Sequence, residues 1–326
     1  MKPWQRTALR VVVSVALLGV LVWRLPDVEW HDVVPDWSGT TPYWLVGAVL
    51  ATLAAYGFQT LRWHFVLLAF DAHVPFRRLF SHFFAGQFVS NVLPTAFGGD
   101  VLRIARVGAE LDDRAVAFAS VSLERLTGWI VLPLISAVAI GAQPGIRVST
   151  RATRIALAIN AGTFVALVVL LSVAALPRWS SRAQAAVGWR RWIGAVHIGT
   201  DALRRRPVRA AQVLGAGLCF QLLLCLATWM IARGIGVDAV TLGASLAFFP
   251  AAAIAQNLPI GLGGLGVREG VFVLFFVPLG ATNGQAIGLG LAVYFVTVLS
   301  SALGAPFFAA GGGAGGYPDA AGSGVS

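Results

Sequence analysis

The chain has 326 residues, of which 57% are hydrophobic and only 12% are charged. A soluble domain of this length carries about twice that charged fraction, so the composition leaves too few charges to cover a water-facing surface. The formal net charge of +10 comes from arginines that flank long apolar runs, which is typical of the positive-inside bias of membrane proteins. No basic stretch alternates with aromatic residues on a polar background, and nucleic acid is therefore not expected as a partner.

Six apolar runs are long enough to span a bilayer as helices. They cover about residues 8–25, 42–70, 115–142, 155–177, 210–232 and 284–310. The runs are continuous rather than alternating, and lipid offers no partner for free backbone groups, so the runs predict helices and not a barrel. No small-residue cleavage pattern follows the first run, which is therefore expected to be a retained span and not a signal peptide.

Two further apolar stretches, about 79–97 and 244–281, are interrupted in mid-run by glycine and proline. Both contain the pattern L-P-x-x-x-G-G-x-x-x-R, at the same offset of 165 residues at every matched position. The residues predicted to break the helices are Pro94, Gly98, Gly99, Pro259, Gly263 and Gly264. Because the offset is about half the chain, the pattern indicates an internal repeat.

The spans fit this repeat, since each half contains two spans, an interrupted stretch and a third span. Three crossings are an odd number, so the halves insert with opposite orientation, as in many transporters. The predicted fold is an all-α polytopic membrane protein with two inverted repeats, each of three transmembrane helices plus a re-entrant broken helix. Repeat one covers about 8–142 and repeat two about 155–310, within a single transmembrane domain over 1–310, and residues 311–326 predict a disordered tail. The two broken stretches are expected to meet near the membrane midplane, related by a pseudo-two-fold axis.

The placement of arginine and lysine predicts which side of the membrane each loop faces. The N-terminal end, residues 71–114 and residues 178–209 together hold 16 basic residues, against 6 in the opposite loops. The bias therefore predicts cytoplasmic N- and C-termini in the cytoplasmic membrane of the cell. Residues 178–209 also mix arginine with tryptophan, which suits an interfacial helix and equally a solvated basic loop.

Charged residues within or beside the apolar runs are costly and usually mark a pathway or a mutual pair. A helix N-terminus beside an arginine makes an anion site, and a lipid headgroup phosphate suits such a site best. The candidate substrate-binding residues are Asn91, Asp100, Arg103, Glu124, Arg125, Asn257, Arg268 and Glu269. The alternative is that these charges only pair with one another to hold helices together, and that the two asparagines cap freed backbone groups. Arg62 is expected to be an interfacial residue whose long side chain reaches the headgroups.

The sequence contains no spacing typical of a metal site, a disulfide framework or a nucleophile with its base. Its two cysteines, Cys219 and Cys225, lie six residues apart within one apolar run. We therefore predict no metal, no cofactor and no catalytic residue, which favours a transporter over an enzyme.

Three motifs stand out, namely Asn91-x-x-Pro94-x-x-x-Gly98-Gly99-Asp100-x-x-Arg103, Glu124-Arg125 and Gly263-Gly264-Leu265-Gly266-Val267-Arg268-Glu269. They resemble the lysylphosphatidylglycerol synthase transmembrane (flippase-like) family, and the resemblance covers most of residues 8–310. It implies a helical membrane fold with re-entrant segments that works on lipids. In the full synthases this region resembles a flippase for aminoacylated phosphatidylglycerol, and a separate soluble domain makes that lipid. This chain ends at Ser326 without such a domain, so the resemblance supports the transport half only, and other relatives are linked to polyprenyl-phosphate sugar pathways.

The leading hypothesis is a flippase or transporter that moves an anionic lipid or lipid-linked headgroup across the cytoplasmic membrane. One alternative is a membrane-embedded transferase that acts on phospholipid or polyprenyl-phosphate substrates, with Asp100 or Glu124 as its base. Another is an accessory subunit that does not transport. The expected partners are membrane lipids, with a separate synthase or transferase as a further possibility.

Overall fold

The structure, a computed structural model, describes Val33 and residues 38–92, 98–143, 150–174, 189–256 and 266–310. The regular elements in these ranges are helices, numbered here α1 to α11. They are α1 Thr41–Ala69, α2 Phe76–Val92, α3 Gly98–Leu111, α4 Arg114–Ala142, α5 Thr150–Ala174, α6 Trp189–Arg205, α7 Pro207–Gly234, α8 Leu242–Gln256, α9 Val267–Phe276, a 3-10 turn Val277–Leu279, α10 Asn283–Ala302 and α11 Ala305–Ala310. The predicted first span 8–25 and the predicted tail 311–326 lie outside the described residues.

Five helices in the described ranges are long and apolar enough to cross a membrane, namely α1, α4, α5, α7 and α10. Local sequence sets where they begin. The Asp113 side chain accepts hydrogen bonds from the backbone N–H groups of Ala115 and Val116 and so caps α4. Thr282 and Gln285 form a reciprocal capping box at the start of α10. The prediction of a helical, multi-pass membrane protein is confirmed, and these helices match five of the six predicted spans.

Shorter helices lie in and beside the two interrupted stretches. The first stretch lies in α2 and in the residues that lead to α3, and the second includes α8 and α9. Gly99 of α3 packs against Gly86 and Ser90 of α2, and nearer the other end of the pair His82 lies 2.8 Å from Glu110. The two helices are therefore antiparallel. The intervening residues, which include Pro94, Pro259, Asn257, Gly263 and Gly264, lie outside the described part of the chain.

The central helices α1 and α7 pack against each other along their length and run in opposite directions. At one end, the Thr41 hydroxyl at the start of α1 donates to the Gly234 carbonyl at the end of α7, at 2.8 Å. At the other end, Arg206 donates to the Leu68 carbonyl at 2.9 Å and pairs with Asp71 at 2.5 Å. The hydrogen bond from Arg206 lowers the pKa of the Asp71 carboxyl below its usual value.

Further contacts divide the helix ends into the same two groups. On the side of Arg206, the guanidinium of Arg106 donates to the carbonyl oxygens of Phe307 and Phe308, both at 3.2 Å. On the side of Thr41, Gln143 packs against Gly243. This grouping is the one that the alternating spans require. The identity of the cytoplasmic side stays a prediction from the basic residues.

Helix α6 is strongly amphipathic and lies against α4 and α5. Val196 is buried in a cluster with Leu123 and Leu167, and Gly199 packs directly on Leu123. Arg204 and Arg205 at its C-terminal end are exposed. The basic segment is therefore helical over 189–205, and its position at the cytoplasmic interface stays a prediction.

Cysteine labelling tests the predicted orientation. We expect Asp238→Cys to react with a membrane-impermeant maleimide in intact cells and Arg204→Cys to react only after permeabilisation. Both side chains are exposed, at 78% and 85%, and the basic split places Arg204 inside. The background has both native cysteines replaced by alanine. Labelling of Arg204→Cys in intact cells would reverse the orientation.

Gly99→Ala tests the close packing of α2 and α3. A Cβ at Gly99 would collide with the Gly86 carbonyl and the Ser90 hydroxyl, so we expect a loss of about 1–3 kcal/mol in the free energy of unfolding. Denaturation by sodium dodecyl sulfate in mixed micelles measures this loss. Gly57→Ala is the matched control, because a Cβ at Gly57 meets nothing within 4 Å. Equal stability of the two variants would contradict the packing.

Candidate functional site

Glu124 lies at the centre of a buried cluster of charged side chains. It is ten residues beyond the first residue of α4, which is about 15 Å along the helix axis. This distance is about half of a hydrocarbon core about 30 Å thick. Its side chain is fully buried, so the carboxylate depends on protein donors for its hydrogen bonds.

Donors from two other helices meet this carboxylate. Oε1 of Glu124 accepts hydrogen bonds from Nε of Arg62, at 3.1 Å, from Nη2 of the same guanidinium, and from the side-chain amide of Gln59. Oε2 accepts from Nη2 of Arg103 at 3.2 Å. The carboxylate therefore joins α1, α3 and α4 at one point.

The chain of charges continues from Arg103 towards the surface. Nη1 of Arg103 lies 3.6 Å from Oδ1 of Asp100, which precedes it by one helical turn. The other oxygen of Asp100 lies 2.5 Å from Nε of Arg125. The side chain of Asp100 is 12% exposed and that of Arg125 is 40% exposed, so the cluster opens to its surroundings at this end.

The cluster, here called the Glu124 cluster, consists of Arg62, Glu124, Arg103, Asp100 and Arg125. Positive and negative groups alternate along it. With three arginines and two carboxylates its formal charge is +1, so an additional anion would neutralise it.

Aromatic rings enclose the inner part of the cluster. The Arg103 guanidinium lies 4.1 Å from the Trp63 ring centroid and 5.2 Å from that of Phe83. The indole N–H of Trp63 donates to Ser120 at 3.0 Å, which fixes the ring beneath the guanidinium. Rings in this position attract a cation and exclude water from it.

Arg62 fits between two glycines. A Cβ at Gly128 would lie 2.7 Å from Nη1 of Arg62, and a Cβ at Gly217 would lie 3.2 Å from it. The expectation that Arg62 extends to the interface is wrong, since Arg62 is only 2% exposed. Its partner, Glu124, is 62 residues away in the chain, so only tertiary packing could reveal the pair. The available signal was that Arg62 lies inside an apolar run.

A second centre contains Arg268 and Glu269. Nε of Arg268 lies 3.4 Å from Oε1 of Glu269, and the guanidinium lies 5.0 Å from the Tyr294 ring centroid. Oε2 of Glu269 accepts from the backbone N–H of Gly266 at 2.6 Å and so caps α9. Both charged residues are buried, and Nη2 of Arg268 makes no hydrogen bond within the described residues.

The repeat offset relates the two centres to each other. Arg268 corresponds to Arg103, and the position of Glu124 corresponds to Leu289. In its place the second centre has Glu269, which packs against Gly290, the residue that follows Leu289. The second centre is therefore built around the matching arginine with a carboxylate from the same helix, and its formal charge is zero.

The predicted site residues thus fall into three groups. Asp100, Arg103, Glu124 and Arg125 are brought together in one cluster, and Arg268 lies with Glu269 in another. The side-chain amide of Asn91 donates to the backbone carbonyl of Gln87 at 3.0 Å, in agreement with a backbone-capping role. Asn257 lies outside the described residues. Gln59 and Arg62 were not predicted as members of a site.

Glu124→Gln tests the strength of the Glu124 cluster. The change leaves two buried arginines without their shared carboxylate, and we expect a loss of about 3–5 kcal/mol in the free energy of unfolding. The same micelle denaturation measures it. Glu110→Gln alters a carboxylate whose ion pairs are more exposed and should cost less than about 1 kcal/mol. A near-neutral Glu124→Gln would show that the cluster is not a structural centre.

Comparison with known proteins agrees with these motifs. The model of the family described as the lysylphosphatidylglycerol synthase TM region matches residues 8–304. No curated protein and no solved structure was found to match the chain. The match covers most of the chain, including both charged centres and all five described spans. The chain therefore belongs to the lysylphosphatidylglycerol synthase transmembrane family.

Proposed function

We propose that this protein is a flippase that moves an anionic lipid or lipid-linked headgroup across the cytoplasmic membrane. The observation that carries the proposal is the Glu124 cluster, a chain of five paired charges from three helices that sum to a formal charge of +1. A charged side chain in this environment is costly and is usually retained for function. A headgroup phosphate supplies the missing negative charge.

Arginine suits this ligand better than lysine does. The planar guanidinium presents paired donors that match two phosphate oxygens, whereas an ammonium acts as a point charge. Arg125 is the most exposed member of the cluster, so an approaching phosphate meets it first. Arg103 lies deeper in the cluster, on the other side of Asp100, and both arginines contact this carboxylate. A phosphate that displaces Asp100 would therefore contact both guanidinium groups.

The proposal includes two inverted repeats related by a pseudo-two-fold axis. Helices α1, α2, α3 and α4 correspond to α7, α8, α9 and α10. Every extensive contact within this set has a counterpart, for example α2 with α10 and α8 with α4, or α3 with α4 and α9 with α10. The corresponding helices α1 and α7 run antiparallel, which supports opposite orientation of the two halves. The antiparallel α2 and α3 support a re-entrant first stretch.

The alternating-access mechanism of inverted repeats fits this arrangement. Arg103 of the Glu124 cluster lies on α3, in the hairpin that α2 and α3 form in the first repeat. The second centre, here called the Arg268 centre, lies on α9, which corresponds to α3 in the second repeat. In the proposed topology the hairpins enter from opposite sides of the membrane. A headgroup would then bind one centre from each side as the repeats move relative to each other.

The transferase alternative is disfavoured by the contacts of its proposed bases. Glu124 accepts hydrogen bonds from two arginines and a glutamine, and Asp100 is held between two arginines. The oxygens of both carboxylates are thus already occupied by protein donors and do not face an open substrate position. An accessory subunit is distinguished by assay of the purified protein alone.

Arg103→Lys, Arg268→Lys and Arg125→Gln test the headgroup-binding role. We expect each change to slow flipping about ten- to hundredfold, because a charge-assisted hydrogen bond contributes about 1.5–3 kcal/mol. The assay uses purified protein in vesicles of phosphatidylcholine and phosphatidylglycerol that contain fluorescent phosphatidylglycerol. Dithionite then destroys the fluorescence of the outer leaflet, and the protected fraction reports flipping.

Arg233→Gln is the matched control for these variants. Arg233 is an exposed arginine that pairs with Asp238 at a helix end. The Arg233→Gln variant should therefore flip lipid at the wild-type rate. Fluorescent phosphatidylcholine tests for unselective scrambling. Normal flipping by Arg103→Lys and Arg268→Lys, in protein that inserts and folds, would show that these residues serve only to hold helices together. A wild-type protein that does not flip phosphatidylglycerol or a polyprenyl phosphate would refute the proposed function.

A further inference from the structure

Glu124 and Glu269 differ in the hydrogen-bond donors that each would keep if its arginine partner, Arg103 or Arg268, bound another anion. If Arg103 turns to a phosphate, Glu124 keeps Arg62 and Gln59 as donors. In the described residues Glu269 has a single guanidinium partner, Arg268, at 3.4 Å, and one backbone N–H, that of Gly266. A phosphate on Arg268 would therefore leave Glu269 as a buried carboxylate without a counter-charge.

Among the described residues, the helices that pack against α9 offer no replacement cation beside Glu269. Helix α9 packs against α8, α10 and α5. Helix α8 has no ionisable side chain, and α10 has only Tyr294, which lies beneath Arg268. The arginines of α5, Arg151 and Arg154, lie within its first five residues, and the ion pair that Glu269 makes among the described residues is with Arg268. Oε1 of Glu269 faces Gly290, which has no side chain.

We propose that Glu269 is a proton-binding residue, which takes up one proton each time a lipid phosphate binds to Arg268. The inference rests on the proposed function and adds the coupling ion to it. An isolated buried carboxylate is so unfavourable that it binds a proton instead of remaining charged. Lipid movement through this centre is then linked to proton movement.

The charges balance in this step. One phosphate oxyanion replaces Oε1 of Glu269 beside the guanidinium of Arg268, and Nη2, buried and without a hydrogen bond, becomes a donor to it. One proton from water binds to Oε1, while Oε2 continues to accept from the N–H of Gly266. The centre has a formal charge of zero before and after, so the lipid anion and the proton cross together without net charge.

The two centres consequently have different requirements. The Glu124 cluster has a formal charge of +1 and accepts a phosphate without a proton. The Arg268 centre has a formal charge of zero and accepts a phosphate only with one. A headgroup that passes from one centre to the other binds or releases a proton on the way. A proton gradient can therefore determine the direction of net lipid movement.

An imposed pH gradient tests the linkage in the same vesicles. Valinomycin with equal potassium on both sides holds the membrane potential at zero. We expect wild-type protein to accumulate fluorescent phosphatidylglycerol in the leaflet that faces the alkaline side, about tenfold per pH unit for one proton per lipid. Nigericin, which abolishes the gradient, should restore an even distribution. Excess inorganic phosphate should leave the ratio unchanged, because the ligand is the lipid headgroup and not the free ion.

Glu269→Gln retains an acceptor for the N–H of Gly266 and cannot bind or release the proton. We expect this variant to flip lipid, but the distribution of the lipid between the leaflets should not follow the pH gradient. Glu269→Asp retains a carboxylate, so the lipid distribution of this variant should follow the pH gradient. This variant tests the proton linkage if the glutamine variant inserts poorly. Asp238→Asn changes an exposed carboxylate at a helix end and should behave as the wild type does.

The outcomes separate the two proposals. Wild-type protein that flips phosphatidylglycerol but leaves it evenly distributed under the gradient overturns the proton linkage alone. A Glu269→Gln variant that still follows the gradient also overturns it, since the proton would then bind elsewhere. Wild-type protein that flips neither phosphatidylglycerol nor a polyprenyl phosphate overturns the proposed function itself. Accumulation by the wild type that is lost only in Glu269→Gln supports both.

Discussion

The constraint on which this structure depends is the cost of a charge in a medium that cannot solvate it. A single ionised group at mid-depth must be paired or must reach water. Glu124 meets this constraint with donors from α1 and α3, and those donors fix the relative positions of the three helices. Each arginine of the Glu124 cluster lies beside a carboxylate and each carboxylate beside an arginine, so the cost of every charge is offset by a neighbour.

Glycine makes this pairing possible, because the charged groups need space within closely packed helices. Gly128 and Gly217 accommodate the guanidinium of Arg62, and Gly99 allows α3 to lie directly on α2. The contact between α2 and α3 places Arg103 above Trp63 and within reach of Glu124. Gly99, which was predicted to break a helix, lies within α3 and allows the close approach of α2.

The two charged centres differ in formal charge. Arg103 and Arg268 occupy the same position in the repeated sequence pattern, but the five residues of the Glu124 cluster sum to +1, whereas Arg268 and Glu269 sum to zero. A transporter with two identical half-sites would have no built-in difference between the two sides of the membrane. The charge difference arises at several positions, since the offset places Ala227, Leu265, Leu289 and Gly290 at the positions of Arg62, Asp100, Glu124 and Arg125, and Ile104 at the position of Glu269. The asymmetry connects the proposed lipid site with the proposed proton.

The sequence by itself determined the fold class and the five described spans, and it singled out charged residues that the structure brings together in two centres. These features follow from local physics, since an apolar run of sufficient length must form a helix in lipid, and a charge within it must have a purpose or a partner. Only the tertiary structure decided which charges are paired. Arg62 was predicted at the interface because its long side chain could reach the headgroups, whereas the structure pairs it with a carboxylate of α4 that lies 62 residues away in the chain. Pairing across helices depends on distances that the order of residues does not contain.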